Sequence, residues 1–174
     1  MKNAITLKRR KAFEVRRGNA VIFTGGGGGE AMVCLKTERQ GKDYIHHYLV
    51  VMDPTPADGF GMIYIDPEEE LTDCGATFTY AMSEGVERGY TRSERADVGD
   101  IFQNAGGFFL KVTDDPRSQK MFAFINIHSG VVMGRQERGV VAVFQEWRVS
   151  GLGVEGGEGT LTLDELRRLH SEAG

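Results

Sequence analysis

The 174-residue sequence predicts an all-β fold, an antiparallel sandwich or open barrel of about ten strands with one short C-terminal helix. Three observations carry that expectation. From Asp97 to Val149, apolar and polar residues alternate with period two through segments broken by turn residues, the pattern of half-buried antiparallel strands. Glycine supplies 24 of the 174 residues without any repeating period, so the chain turns often. A helix signature stands out only near the C-terminus, after a glycine-rich stretch.

Residues 1–18 carry Lys2, Lys8, Arg9, Arg10, Lys11, Arg16 and Arg17 against Glu14 alone, a local charge of +6 in a chain of net −4. Two readings fit. Lys8, Arg9, Arg10, Lys11, Arg16 and Arg17 form a basic arm for nucleic-acid phosphates, or they line an edge strand whose charges keep its backbone from recruiting neighbours. The second is favoured, because the interleaved aromatic residues of a nucleic-acid platform are missing. Asn19 to Thr24 reads as a short strand. Gly25 to Gly29 then lack the Lys and Ser/Thr of a phosphate loop and run into Glu30, whose carboxylate would repel a phosphate; they read as a connector.

Ala31 to Thr37 and Asp43 to Met52 are expected to form a hairpin turning at Gln40-Gly41. With Arg39 opposite Lys42, Cys34 faces His47 and Leu35 faces His46. Both faces are apolar, so the pair needs two coverings, a second sheet and something else, such as another subunit. Cys34, His46 and His47 invite a metal or a thiolate–imidazole site, but no third member stands at a useful spacing, and core packing is the simpler reading. Asp53 to Gly59 turns, Gly61 to Asp66 is a strand, Pro67 to Glu70 is an acidic turn and Cys74 to Ala81 is another strand. Ser83 to Asp97, crowded with charges, is a long loop.

The meander begins with Val98 to Phe102, and Phe108 to Thr113 follows. Asp114-Asp115-Pro116 stops that strand, since proline has no N–H and aspartate bonds its own backbone in turns; neighbouring strand-end carboxylates point apart, which argues against an acid–base pair. Met121 to Ile127 returns with Val112 facing Met121, Leu110 facing Ala123 and Phe108 facing Ile125, a register that gathers aliphatic residues on one side. Ser129-Gly130 makes a tight hairpin into Val131 to Met133, and Val140 to Val149 is the fourth strand. Residues 150–159 read as a glycine-rich linker. In residues 160–174, Thr162 and Glu165 form a capping box, and Leu163, Leu166 and Leu169 form an apolar stripe that docks either on the chain's own sheet or on a partner. The organisation is thus a basic segment 1–18, a β domain 19–149 that could divide into halves 19–82 and 97–149, a linker and a docking helix.

No stretch approaches the roughly 20 apolar residues of a membrane-spanning helix, and no secretory signal pattern is present. Two cysteines do not make a disulfide framework, so a reducing, cytoplasmic compartment is expected. Val98-Gly99-Asp100-Ile101-Phe102, Gly107 to Val112 and Phe124 to Val131 resemble the small β-barrel modules common in phage-encoded and bacterial proteins. The resemblance covers about a third of the chain, rests on turn chemistry, and implies a binding or assembly module, with a virion as the alternative location. It brings no catalytic residues.

The expected function is therefore a non-enzymatic interaction protein, a homo-oligomer or a partner of another protein, with no cofactor and no metal. A nucleic-acid-associated barrel using the basic segment is the first alternative. A small-molecule site or enzyme near Cys34, His46 and His47, or Asp114 and Asp115, is the second.

Overall fold

In the computed structural model, residues 5–25, 29–56, 58–83, 96–115, 118–133, 142–154 and 160–173 are described. The fold is all-β, with a short C-terminal helix. Among the described residues the strands are β1 (Lys8–Lys11), β2 (Asn19–Thr24), β3 (Ala31–Gln40), β4 (Ile45–Val51), β5 (Met62–Ile65), β6 (Glu70–Met82), β7 (Ile101–Asn104), β8 (Gly107–Asp115), β9 (Ser118–Asn126), β10 (Val132–Met133), β11 (Ala142–Phe144) and β12 (Trp147–Gly153). They form two antiparallel sheets, ordered β1-β6-β2-β3-β4-β5, with β12 also on β6, and β10-β9-β8-β7-β11.

The sheets are stitched at two corners. Glu38 of β3 bridges Val131 just before β10, and Gly61 just before β5 bridges Thr113 of β8. Past Lys111, whose N–H donates to the Asp100 carbonyl and whose carbonyl accepts from Gly99, β8 changes neighbour, and the Thr113 N–H donates to the Phe60 carbonyl at 3.0 Å. The strands β3, β4, β5, β8, β9 and β10 therefore close into a ring of backbone neighbours. Leu35, Val50, Met62, Leu110, Val112, Ala123, Ile125 and Val132 fill its interior within the main core.

One end of this ring is plugged by α1 (Leu163–Ala173). Its capping box forms as the sequence indicates: the Glu165 N–H donates to Thr162 Oγ1 at 3.2 Å and the Thr162 N–H donates to Glu165 Oε2 at 3.1 Å. Leu166 is fully buried in the main core with Leu163 packed against it, and Arg167 ion-pairs with Asp53. The stripe is thus used within the chain, while Leu169 stays half-buried.

Several registers differ from expectation, always by an even number of residues. In the β3–β4 hairpin, Gln40 pairs with Ile45 across a longer loop, 41–44, so Cys34 faces Val51 and His47 faces Glu38. The Gly41 N–H donates to the Tyr44 carbonyl at 2.9 Å, which closes that loop. In β8–β9, Leu110 faces Ile125 and Val112 faces Ala123, because the register shifts between Thr113 and Asp115. Val132 returns opposite Ile125, since Asn126 Oδ1 accepts the N–H groups of His128 and Ser129 and widens the turn. Each even shift keeps the faces and changes the partners.

Two boundaries also move. The expected strand 140–149 breaks at Gln145-Glu146: β11 stays beside β7, and β12 crosses to β6 in the other sheet. Trp147 anchors the crossing by donating its indole N–H to the Gly99 carbonyl at 2.7 Å. Residues 150–153, expected in the linker, continue β12, and 155–159 lie outside the described residues, as do 26–28 of the glycine run, most of the 83–97 loop and the turn 136–139.

A buried lysine–glutamate–histidine cluster as the candidate functional site

Along β3, Cys34, Lys36 and Glu38 point to one face, away from the ring interior. That face carries a second core of Val21, Cys34, Leu49, Ile65 and Leu71, roofed by Ala12 and Val15. The roof is a single 3-10 turn, Ala12–Glu14, tied down by the Ala12 N–H donating to the Glu69 carbonyl at 2.8 Å. The second covering that the sequence demands is therefore the chain's own N-terminal segment.

Beside this small core, the sheet surface holds charge. Lys36 is 0% exposed and His47 is 6% exposed. The Lys36 ammonium donates to Glu38 Oε1 at 3.2 Å and lies 2.9 Å from His47 Nδ1. An ammonium can only donate, so Nδ1 is the acceptor and the imidazole proton sits on Nε2. Glu38 Oε1 is 3.8 Å from the same ring nitrogen.

Burial lowers the pKa of Lys36, against the raising pull of Glu38. Burial also lowers that of His47, and the Lys36 cation lowers it further, while Glu38 opposes. A neutral His47, an ionised Glu38 and a Lys36 ammonium shared between them satisfy this geometry.

The cluster sits under a crowded backbone corner. The Gly18 N–H donates to the Lys36 carbonyl at 2.8 Å, and the Glu38 N–H donates to the Gly130 carbonyl at 3.0 Å. Gly130 has φ +71, and a Cβ there would lie 2.4 Å from Gly18 N and 2.6 Å from the Lys36 carbonyl oxygen. Only glycine lets three chain segments cross so closely.

The residues singled out from sequence are separated. Cys34 is sealed in the outer core, with its thiol pushed up to about 12 by burial, and His46 points to the opposite face from His47. Cys74 is also free and sits in the main core, its thiol likewise pushed up to about 12, first by burial and then by Asp73. Among the described residues no group of His, Cys, Asp and Glu side chains could hold a metal ion. Asp114 ion-pairs with Arg39 at 3.3 Å, and Asp115 faces Ser118 across the hairpin tip.

In the basic segment Arg9, Arg10 and Lys11 take Glu70, Asp73 and Glu68 as ion-pair partners, with Lys8 beginning the edge strand and Arg16 and Arg17 leading to Gly18. Lys36 and Glu38 were not singled out from sequence. The available signal was parity: both alternate with Cys34, so they point to the same covered face. No helix among the described residues is long and apolar enough to cross a membrane.

Comparisons with protein-family models, curated proteins and solved structures give no match for this chain.

Proposed function

We propose that this chain is a non-enzymatic assembly module that binds a second copy of itself through the end of its barrel where Tyr44, Tyr64 and Met121 are exposed. One observation carries the reading. Among the described residues, Tyr44 in the β3–β4 loop, Tyr64 near the end of β5 and Met121 in the first half of β9 are large apolar side chains left 66%, 61% and 59% exposed. Tyr64 meets Tyr48 edge-on at 5.8 Å, and the Arg39 guanidinium lies 5.6 Å over the Tyr48 ring, so the patch is an organised surface with a charged rim. Exposed apolar surface concentrated at one place marks an interaction site.

Other features support binding over chemistry. The thiols stay protonated at neutral pH, and the ring interior is filled by aliphatic side chains, which supports recognition at the surface. Arg9, Arg10 and Lys11 already hold carboxylates, which favours a protein partner over nucleic acid. Two free thiols on opposite faces of the sheet suit a reducing compartment. The likeness of residues 98–149 to phage-type barrel modules fits an assembly component of a phage or mobile element.

Light scattering at low and high salt tests this. A multimer at both salts that Tyr64→Lys or Met121→Lys converts to a folded monomer is the expected result. A wild-type monomer across the accessible concentration range would overturn it.

A further inference from the structure

We propose that Lys36, Glu38 and His47 form an acid-sensitive latch that holds the corner where the β9–β10 turn joins β3. The same short piece of chain does both jobs. Residues 36–38 supply two of the three side chains in the cluster, and their backbone carries the corner: the Lys36 carbonyl accepts from Gly18, and the Glu38 N–H donates to Gly130. Moving these side chains moves the hydrogen bonds that close the ring.

The closed arrangement needs a neutral imidazole. With Lys36 Nζ at 2.9 Å from Nδ1, the ring nitrogen is an acceptor. Protonating Nδ1 removes that acceptor and sets an imidazolium N–H against an ammonium inside an enclosed site. A single carboxylate, Glu38, then faces both cations, 3.2 Å from Lys36 Nζ and 3.8 Å from His47 Nδ1. Two like charges at such a separation, with little water between them, repel strongly.

The surroundings do not relieve this. On β4, His46 adds further repulsion toward a charged His47. On β5, Ile65 stands opposite His47 and carries no charge, and Asp66 follows beyond the strand end. From the covering segment, Arg16 and Arg17 precede Gly18 at the corner and are exposed, and neither is among the charges that act on His47. Opening the corner gives the imidazolium access to water, so a falling pH draws the equilibrium toward the open form, with Gly130 and Val131 released from β3. The closing of the barrel thereby becomes a function of pH, independently of whether the chain self-associates.

The size of the effect follows from histidine chemistry. If the open form titrates near the ordinary value of about 6.5 and the closed form resists protonation, the open population rises by up to about thirtyfold between pH 7.5 and 5.0. Amide hydrogen exchange reads this at the Glu38 N–H, with the Met52 N–H, which donates to the Val33 carbonyl at 3.0 Å, as a reference in the same sheet.

After correction for intrinsic exchange rates, Glu38 protection should fall about ten- to thirtyfold relative to Met52 over that range. His47→Gln, which keeps a polar side chain but cannot titrate, should abolish the difference. Should that variant not fold, the wild-type His47 ring followed by NMR gives an independent reading, and it should titrate below the ordinary histidine value. The proposal is overturned by pH-independent Glu38 protection in the wild type, by the same loss in His47→Gln, or by a His47 ring that titrates at or above about 6.5.

Discussion

The two faces of the β3–β4 hairpin are built from alternating residues of the same strands and yet solve burial differently. On the inner face, Leu35 and Val50 join the main hydrophobic core with Leu110, Val112, Ala123 and Ile125 of the opposite sheet. On the outer face, Cys34 and Leu49 are roofed by one 3-10 turn, and two residues further along the roof gives way to Lys36, Glu38 and His47. A whole sheet covers the inner face over Leu35 and Val50. A short segment covers only part of the outer face, and at its margin the polar groups must satisfy one another. Thickness of covering, more than the composition of the strands, decides where charge can be buried.

Substitutions at neighbouring positions of β3 separate the two faces. The largest effect belongs to the inner one: Leu35→Ala removes a fully buried side chain facing the opposite sheet and should cost about 3–4 kcal/mol, read from urea unfolding. Next comes the outer cluster. Glu38→Gln leaves the Lys36 ammonium without its carboxylate and should cost about 2–4 kcal/mol, whereas the double variant Lys36→Met/Glu38→Gln, which removes both charges and keeps the volume filled, should be near neutral. If both cluster variants cost as much as Leu35→Ala, packing rather than charge dominates the outer face, and the contrast drawn above fails.

Acid should act on the outer face alone. The native-state pKa of His47 lies below its ordinary value, so as pH falls through about 6.5 the unfolded chain binds protons that the native chain refuses. Stability is therefore complete above that region and declines below it. A loss of about 1–2 kcal/mol between pH 7.5 and 5.0 is expected. Lys36 shifts in the same direction, lower in the folded state, so its contribution also rises with pH, in the alkaline range. Lys36→Met removes the cation that helps hold His47 neutral, and should flatten the acid slope. Leu35→Ala should lower the whole curve without changing its shape.

Much of this contrast was legible in the sequence, and the rest was hidden for definable reasons. Alternation assigned Cys34 and Leu35 to opposite faces and showed that both faces needed covering. It fixes register only to within two residues, however, and loop lengths decide the remainder. The 41–44 loop moved every β3–β4 pair by four residues, which took His47 from Cys34 to Glu38. The regular alternation from Val141 to Val149 concealed the break at Gln145-Glu146, because nothing in periodicity marks a change of sheet. The helix was the most readable element, since Thr162 and Glu165 encode its start locally. The cluster was the least readable: lysine is so commonly exposed that nothing in the sequence marks Lys36 as buried, although it sits between Leu35 and Thr37, both also fully buried.

The edge strand gives the smallest expected effect and the sharpest test of what burial adds to an ion pair. Arg9 of β1 reaches diagonally to Glu70 of β6 at 2.9 Å, closer than Lys36 and Glu38 at 3.2 Å, but their side chains are 78% and 60% exposed. Water screens that pair, and ordering two long side chains offsets what attraction remains. Arg9→Ala should therefore change stability by no more than about 0.5 kcal/mol, and the change should shrink further in high salt. Glu38→Gln should keep most of its cost in the same salt, because ions cannot enter the space around Lys36. Equal salt sensitivity in the two variants would mean that the outer cluster is solvated, and distance alone would then govern both pairs.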